Sequence, residues 1–426
     1  MSFMPQVRSS AFRAVLPLAA LALAAPESAA AEDPTLEIAQ LRAQGPVGLA
    51  GLLGRYDRLP VGRDRDRLAQ VIDQVARQRY ATISRLYWYT DLGEARAAAQ
   101  ASQRPILALR MLGNLDEELS CANSRLFRTV LYANTEVSKL MRDHFILYWS
   151  SERPVPKVTI DMGDGRVIQR TTTGNSAHYV LDAHGNVLDV LPGLYAPKLF
   201  KEELTKSLQL ASSVRTADPK QRTNAVSTFH RRAMEQRGAA FSKLGKGQFS
   251  RSGKRAYVSK LAQAQRATMS KRVMEIPDLE QFGIDAGSIN RDDIEQWATI
   301  GVQLWSLRES ATPATTIYDT FDAQSLHLIG WMHDVEQAPS SSSELGLMIG
   351  RLEYSVIADS ALDELQLRQQ IRTKLVAEPG LPLDALNAWI YAEVFHTPAS
   401  DPWLGLLPRS DFAGLPGDGA TSRTPR

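Results

Sequence analysis

The chain has 426 residues, 44% of them hydrophobic and 23% charged, which excludes a wholly disordered protein and allows two or three domains with real cores. Lys and Arg number 49 against 47 Asp and Glu, so the net charge of +2 singles out no partner for the chain as a whole. A single cysteine, Cys121, excludes both an intrachain disulfide and a cysteine-rich metal site.

Residues 1–31 read as a secretory signal peptide. "MSFMPQVRSSAFR" carries two arginines and no acid, "AVLPLAALALAA" is a short apolar run, and Ala29-Ala30-Ala31 offers a cleavage site before Glu32. The run is shorter than the ~20 residues of a spanning helix. No cysteine follows it for lipid attachment, and no later stretch is long and apolar enough to span. The expectation is an exported protein, periplasmic or extracellular, with no transmembrane segment in the mature chain. In an oxidising compartment an unpaired thiol is buried and inert, joined to another molecule, or functional.

Residues 32–80 form an N-terminal helical segment. "PTLEIAQLRAQGPVGLAGLLGRYDRLP" and "DRDRLAQVIDQVARQRY" predict two helices from apolar residues at three- and four-residue spacing.

Residues 83–210 follow a different pattern. "ISRLYWYT" predicts a strand, "DLGEARAAAQASQ" a helix opening at Asp91, and "RPILALRM" a buried strand. A loop leads to Cys121 and a helix to about Leu131; a second helix starts at Asn134 as N-cap, with Glu136 in its first turn. "ILYWS" is a strand, "KVTIDMGDGRVIQRTTT" a hairpin around Gly163-Asp164-Gly165, and "AHYVLDAHGNVLDVL" a second hairpin turning at His184-Gly185. "APKLFKEELTKSLQLA" closes the unit as a helix. The alternation argues an α/β sandwich.

Residues 211–275 are a basic helical linker: positions 215–272 hold fifteen Lys and Arg against Asp218 and Glu235. One reading is contact with an anionic surface, with nucleic acid excluded by export. The other is helices whose basic faces pair with the acidic helices beyond Pro277. Residues 276–426 form an α-helical C-terminal domain with four helix candidates, a flexible "APSSSS" connector and a tail in which Trp403, Leu404 and Leu406 are available for docking.

The seven histidines form no metal set. His178 and His184 lie on opposite arms of a hairpin and read as structural. "TIDMGDGR" lacks the length and closing glutamate of a calcium loop, and there is no phosphate-binding glycine loop. The sequence therefore implies no cofactor and no metal.

The middle unit resembles the thioredoxin superfamily, specifically the exported branch typified by the C-terminal domain of the transmembrane disulfide reductases. The resemblance rests on W-x-x-x-x-x-E-A at Trp88 to Ala95, the strand "RPILALRM", a C-x-x-S motif from Cys121 to Ser124, Val137 thirteen residues beyond it, and "GNSAHYVLDAHGNVLDVLPGL". It implies a thioredoxin-like α/β sandwich followed by the mainly helical domain. It also implies Cys121 and Ser124 as catalytic positions, Asn175 and Ser176 as the substrate-presenting backbone, and a protein substrate or partner engaged through Cys121. This chain departs from the family pattern where the second cysteine becomes Ser124 and the cis-proline becomes Ser176.

A thiol at a helix N-terminus is stabilised as thiolate, with Ser124 one turn along in a position to donate to the sulfur. Without a resolving cysteine a dithiol cycle is excluded within the monomer; isomerisation or exchange through a mixed disulfide is not. Two functions stay open: a monothiol exchange protein, and a non-catalytic thioredoxin-fold binding or chaperone-like scaffold.

Overall fold

The computed structural model of the protein describes residues 34–172, 175–243, 291–307, 320–335 and 343–404, together with Leu415. The leader, the basic stretch beyond Lys243, the serine connector before Ser343 and Leu406 lie outside the described residues.

The N-terminal segment holds three helices where the apolar spacing predicts two: α1 (Pro34–Ala43), α2 (Pro46–Tyr56) and α3 (Arg63–Ala76). The break between the first two falls at Gly45, whose φ of 62° is open to glycine at little cost, followed by Pro46, which has no N–H to continue a helix. Leu49, Leu52, Leu53, Leu68, Ile72 and Val75 form their own small core. Arg42 ties this core to the next unit by donating to the carbonyls of Val75 at 2.7 Å and Trp88 at 3.3 Å.

The strand expected over residues 83–90 is mostly not a strand. A helical turn, α4 (Ala81–Ser84), ends at Arg85 with φ of 57°, and this left-handed residue interrupts the extended run. Only Tyr89 joins the sheet, as an isolated parallel bridge to Tyr148. Next come α5 (Leu92–Ser102), capped by the Asp91 carboxylate on the Glu94 N–H, and strand β1 (Ile106–Leu112). Helix α6 (Ala122–Leu126) runs into a π-helical turn over Phe127–Leu131. Helix α7 (Thr135–His144) follows, with Asn134 accepting from the N–H groups of Glu136 and Val137.

The remaining strands are β2 (Ile146–Arg153), β3 (Lys157–Asp161), β4 (Val167–Thr171), β5 (Ala177–Leu181) and β6 (Val187–Pro192). Four of the strands form a mixed sheet in the order β2-β1-β5-β6. β1 and β2 are parallel, which needs a helical crossover between them; β5 is antiparallel to both β1 and β6. β3 and β4 stand apart as a two-stranded sheet. Every residue of β5 and β6 is buried, as in a sheet covered on both faces. Helix α8 (Pro197–Ser213) closes this unit.

The C-terminal half is helical where described: α9 (Pro219–Lys243), α10 (Arg291–Trp305), α11 (Ala323–Met332), α12 (Glu344–Leu362), α13 (Arg368–Ala377) and α14 (Leu383–Trp389). A π-helical segment over Asp363–Leu367 joins α12 to α13, and another over Ile390–Val394 extends α14. The molecule is thus mixed α/β with a substantial helical part, as expected. The helices share one continuous apolar core with the sheet. In the tail Leu404 is buried, whereas Trp403 is exposed. Among the described residues no helix is long and apolar enough to cross a membrane.

Candidate functional site

The site grows from the end of β1. The chain leaves the strand at Gly113, where φ is 72° and an added Cβ would meet Val155 Cγ1 at 3.0 Å. The loop that follows is stapled from below by Arg128. This buried guanidinium donates to the carbonyls of Leu115 at 3.1 Å, Glu117 at 2.5 Å and Glu118 at 3.3 Å. The Glu118 carboxylate lies outward, accepting from Tyr80 Oη at 2.6 Å and Arg79 Nε at 2.9 Å.

Cys121 is the N-cap residue of α6, with extended backbone, and is 0% exposed. Among the described residues no hydrogen bond joins Ser124 to the sulfur. Its hydroxyl lies 2.6 Å from Ser120 Oγ and donates back to the Cys121 carbonyl at 2.8 Å, the local back-bonding open to a serine in a first helical turn. Thr171, at the end of β4, donates to the Ser120 carbonyl at 2.7 Å and accepts from Arg125 at 3.0 Å. The segment before Cys121 is thereby clamped to the hairpin.

The segment implied to present substrate lies at the start of β5. The Ser176 carbonyl accepts from the Gly193 N–H at 2.8 Å. The Asn175 carbonyl accepts from Tyr391 Oη at 2.9 Å, a bond between residues 216 apart in the chain. Among the described residues there is no cis peptide bond, so Asn175–Ser176 is trans. Burial holds the Tyr391 hydroxyl well above its ordinary value, and the Glu152 carboxylate pushes in the same direction. Tyr391 therefore ties the C-terminal helices to the Asn175 backbone. Among the described residues, the side chains of Asn123 and Ser176 are buried with no hydrogen-bond partner.

Beneath the thiol, Tyr132 Oη lies 2.6 Å from His178 Nε2. Burial alone pulls His178 down to about 3, so this ring is neutral across the physiological range. It packs between Phe127 and Phe200, with ring centroids at 4.7 and 4.9 Å. His178 is a core residue, in keeping with its position on a strand. Among the described residues no group of His, Cys, Asp and Glu could hold a metal.

Motif reasoning does not single out Tyr391 or Tyr132. Tyr391 sits in "LDALNAWIYAEVF", whose pattern marks a helix and says nothing of which surface that helix meets. In the described part of the basic stretch, Arg222 pairs with Asp182 at 3.5 Å and Arg237 pairs with Glu203 and Glu364. These two cations serve internal contacts.

No family model, curated protein or solved structure matches the chain.

Proposed function

We propose that the protein is a non-catalytic, thioredoxin-like binding scaffold that works outside the cytoplasm once residues 1–31 are removed. The thioredoxin-like arrangement is supported by the strand order β2-β1-β5-β6, with one parallel and two antiparallel pairings and the thiol at the helix start after β1. The observation that carries the non-catalytic reading is the closure of the site: Cys121 is 0% exposed, and Tyr391 of the C-terminal helices already occupies the Asn175 carbonyl. A thiol must meet a disulfide sulfur in line to exchange with it, and a covered thiol cannot. Partners are proteins held on the outer surface, with residues 215–272 as a candidate contact for anionic surfaces.

Native-state alkylation of Cys121 tests this. A maleimide should modify the folded protein only as fast as the protein unfolds, and modify it completely in denaturant. Fast stoichiometric labelling in native buffer, with a mixed disulfide to a small disulfide probe, would establish monothiol exchange instead. That second reading has one observation in its favour, the position of Cys121 at a helix start, and it requires the buried thiol to become exposed.

A further inference from the structure

The β3–β4 hairpin is the one described strand pair outside the main sheet, and it is exposed along almost its whole length. A two-stranded hairpin alone is marginal in water. This one also carries apolar side chains into solvent: Met162 is 54% exposed, Val167 49% and Ile168 43%.

The hydrogen-bond register identifies which edge is open. Met162 N–H donates to the Arg166 carbonyl and Thr172 N–H to the Pro156 carbonyl, with Val158 opposite Arg170 and Ile160 opposite Ile168. Antiparallel strands alternate, so the even-numbered positions of β3 turn their main-chain groups toward β4. Lys157, Thr159 and Asp161 turn theirs outward, and all three are exposed. The outer edge of β4 is less free, because Thr171 is buried against the Ser120 segment.

We infer that two copies of the chain pair through this β3 edge, antiparallel about a twofold axis at Thr159, into a continuous four-stranded sheet. The charges select that register. Centred on Thr159, Lys157 of one copy stands directly opposite Asp161 of the other, twice by symmetry, and Val158 stands opposite Ile160. Centred on Lys157 or on Asp161, like charges would oppose each other, which is unfavourable in a cross-strand pair. The Thr159 register is also one that brings outward-facing N–H and C=O groups together, so each facing pair of odd-numbered residues exchanges main-chain hydrogen bonds. Val158, Ile160 and Ile168 of both copies then line one face of the joined sheet, and Lys157 with Asp161 the other. The contact is isologous, so it closes as a dimer and leaves only the β4 edges outside, which limits further edge-to-edge growth.

Sedimentation velocity of the full mature chain over a concentration series tests this. The expected result is a reversible dimer. Lys157→Asp and Asp161→Lys each place like charges in both contacts and should weaken it about tenfold or more. Mixing these two variants should restore association as a heterodimer, because both acidic positions of the first variant then face lysines of the second. Thr159→Pro removes an outward N–H without touching the β3–β4 bonds, and should give monomer with an unchanged circular dichroism spectrum. A wild-type chain that stays monomeric throughout the series overturns the inference and leaves the edge to a different protein. A dimer indifferent to the two charge variants, or variants that fail to associate on mixing, overturns the pairing.

Discussion

The C-terminal helices meet the α/β unit at two joints built from different chemistry. The joint beneath α8 is a buried ion cluster. Arg368 Nη1 donates to Glu203 at 2.7 Å and Glu364 at 2.8 Å, and its Nη2 to Asp189 at 2.6 Å, with all four side chains at most 1% exposed. Arg372 adds a contact to Glu364 at 2.9 Å, and Arg237 another at 3.0 Å. Next to it the chain passes so close that a Cβ on Gly193 would collide with the Asp363 carboxylate, which accepts from the Leu194 N–H at 2.9 Å. The joint at the start of β5 is mostly neutral. Tyr179 Oη donates to Asn387 at 2.8 Å, Asn387 donates to Glu152 at 2.7 Å, and Tyr391 caps Asn175. Its direct ion pair between the two units, Arg110 with Asp384, is half in solvent, Asp384 being 85% exposed. The difference predicts how each fails. A buried ion cluster fixes one geometry and collapses when one member is lost, because the remaining charges stay desolvated. A set of neutral bonds yields in small steps.

The largest expected effect follows from Arg368→Met. It strands Asp189, Glu203 and Glu364 with less positive charge than they need, and should lower unfolding free energy by about 3–5 kcal/mol in urea titrations. Replacement costing under about 1 kcal/mol would show that the cluster does not hold the two units together.

Acid should sharpen the contrast next. Burial pulls His230, which is hydrogen-bonded to the Leu188 carbonyl beside the cluster, from 6.5 to about 4, and His178 to about 3. Both folded values are depressed. The unfolded chain binds these protons as pH falls below 6.5 while the folded chain does not, so stability is present near pH 7 and lost toward pH 4. Asp73, raised by burial to about 6, binds its proton earlier in the folded chain and offsets part of that loss. His230→Asn should remove about 3 kcal/mol of the fall between pH 7 and pH 4. Parallel pH profiles for the two proteins would contradict the buried neutral ring.

Local chemistry made much of the fold legible. Asp91 and Asn134 are helix caps because their short side chains reach first-turn N–H groups, and each of the two hairpins turns at its glycines. The strand over 83–90 misled because aromatic and β-branched residues there resemble a strand, and the left-handed Arg85 leaves no trace in the pattern. Cys121 at a helix start was legible from the motif; its closure was not. Glu364 and Arg368 have the spacing of a surface pair, and only Asp189, 179 residues away, reveals that they are buried. Long-range partners of this kind have no local signature.

The smallest effect decides what guards the thiol. Tyr391→Phe keeps the buried ring and removes only the hydroxyl that donates to Asn175, so it should cost about 1 kcal/mol. If Cys121 reacts only through global unfolding, its alkylation rate must follow total stability: Arg368→Met accelerates it by orders of magnitude and Tyr391→Phe by about tenfold at most. If a local opening of the C-terminal helix admits reagent, the order reverses. The hydroxyl lies in the moving joint and the ion cluster does not, so Tyr391→Phe would accelerate labelling while Arg368→Met left it unchanged so long as the protein stayed folded. We expect the first pattern, since the helix is held against the α/β unit by Asn387, by Tyr391 and by Arg153 donating to the Thr397 and Asp401 carbonyls at 3.0 Å, and loss of one hydroxyl leaves the others in place.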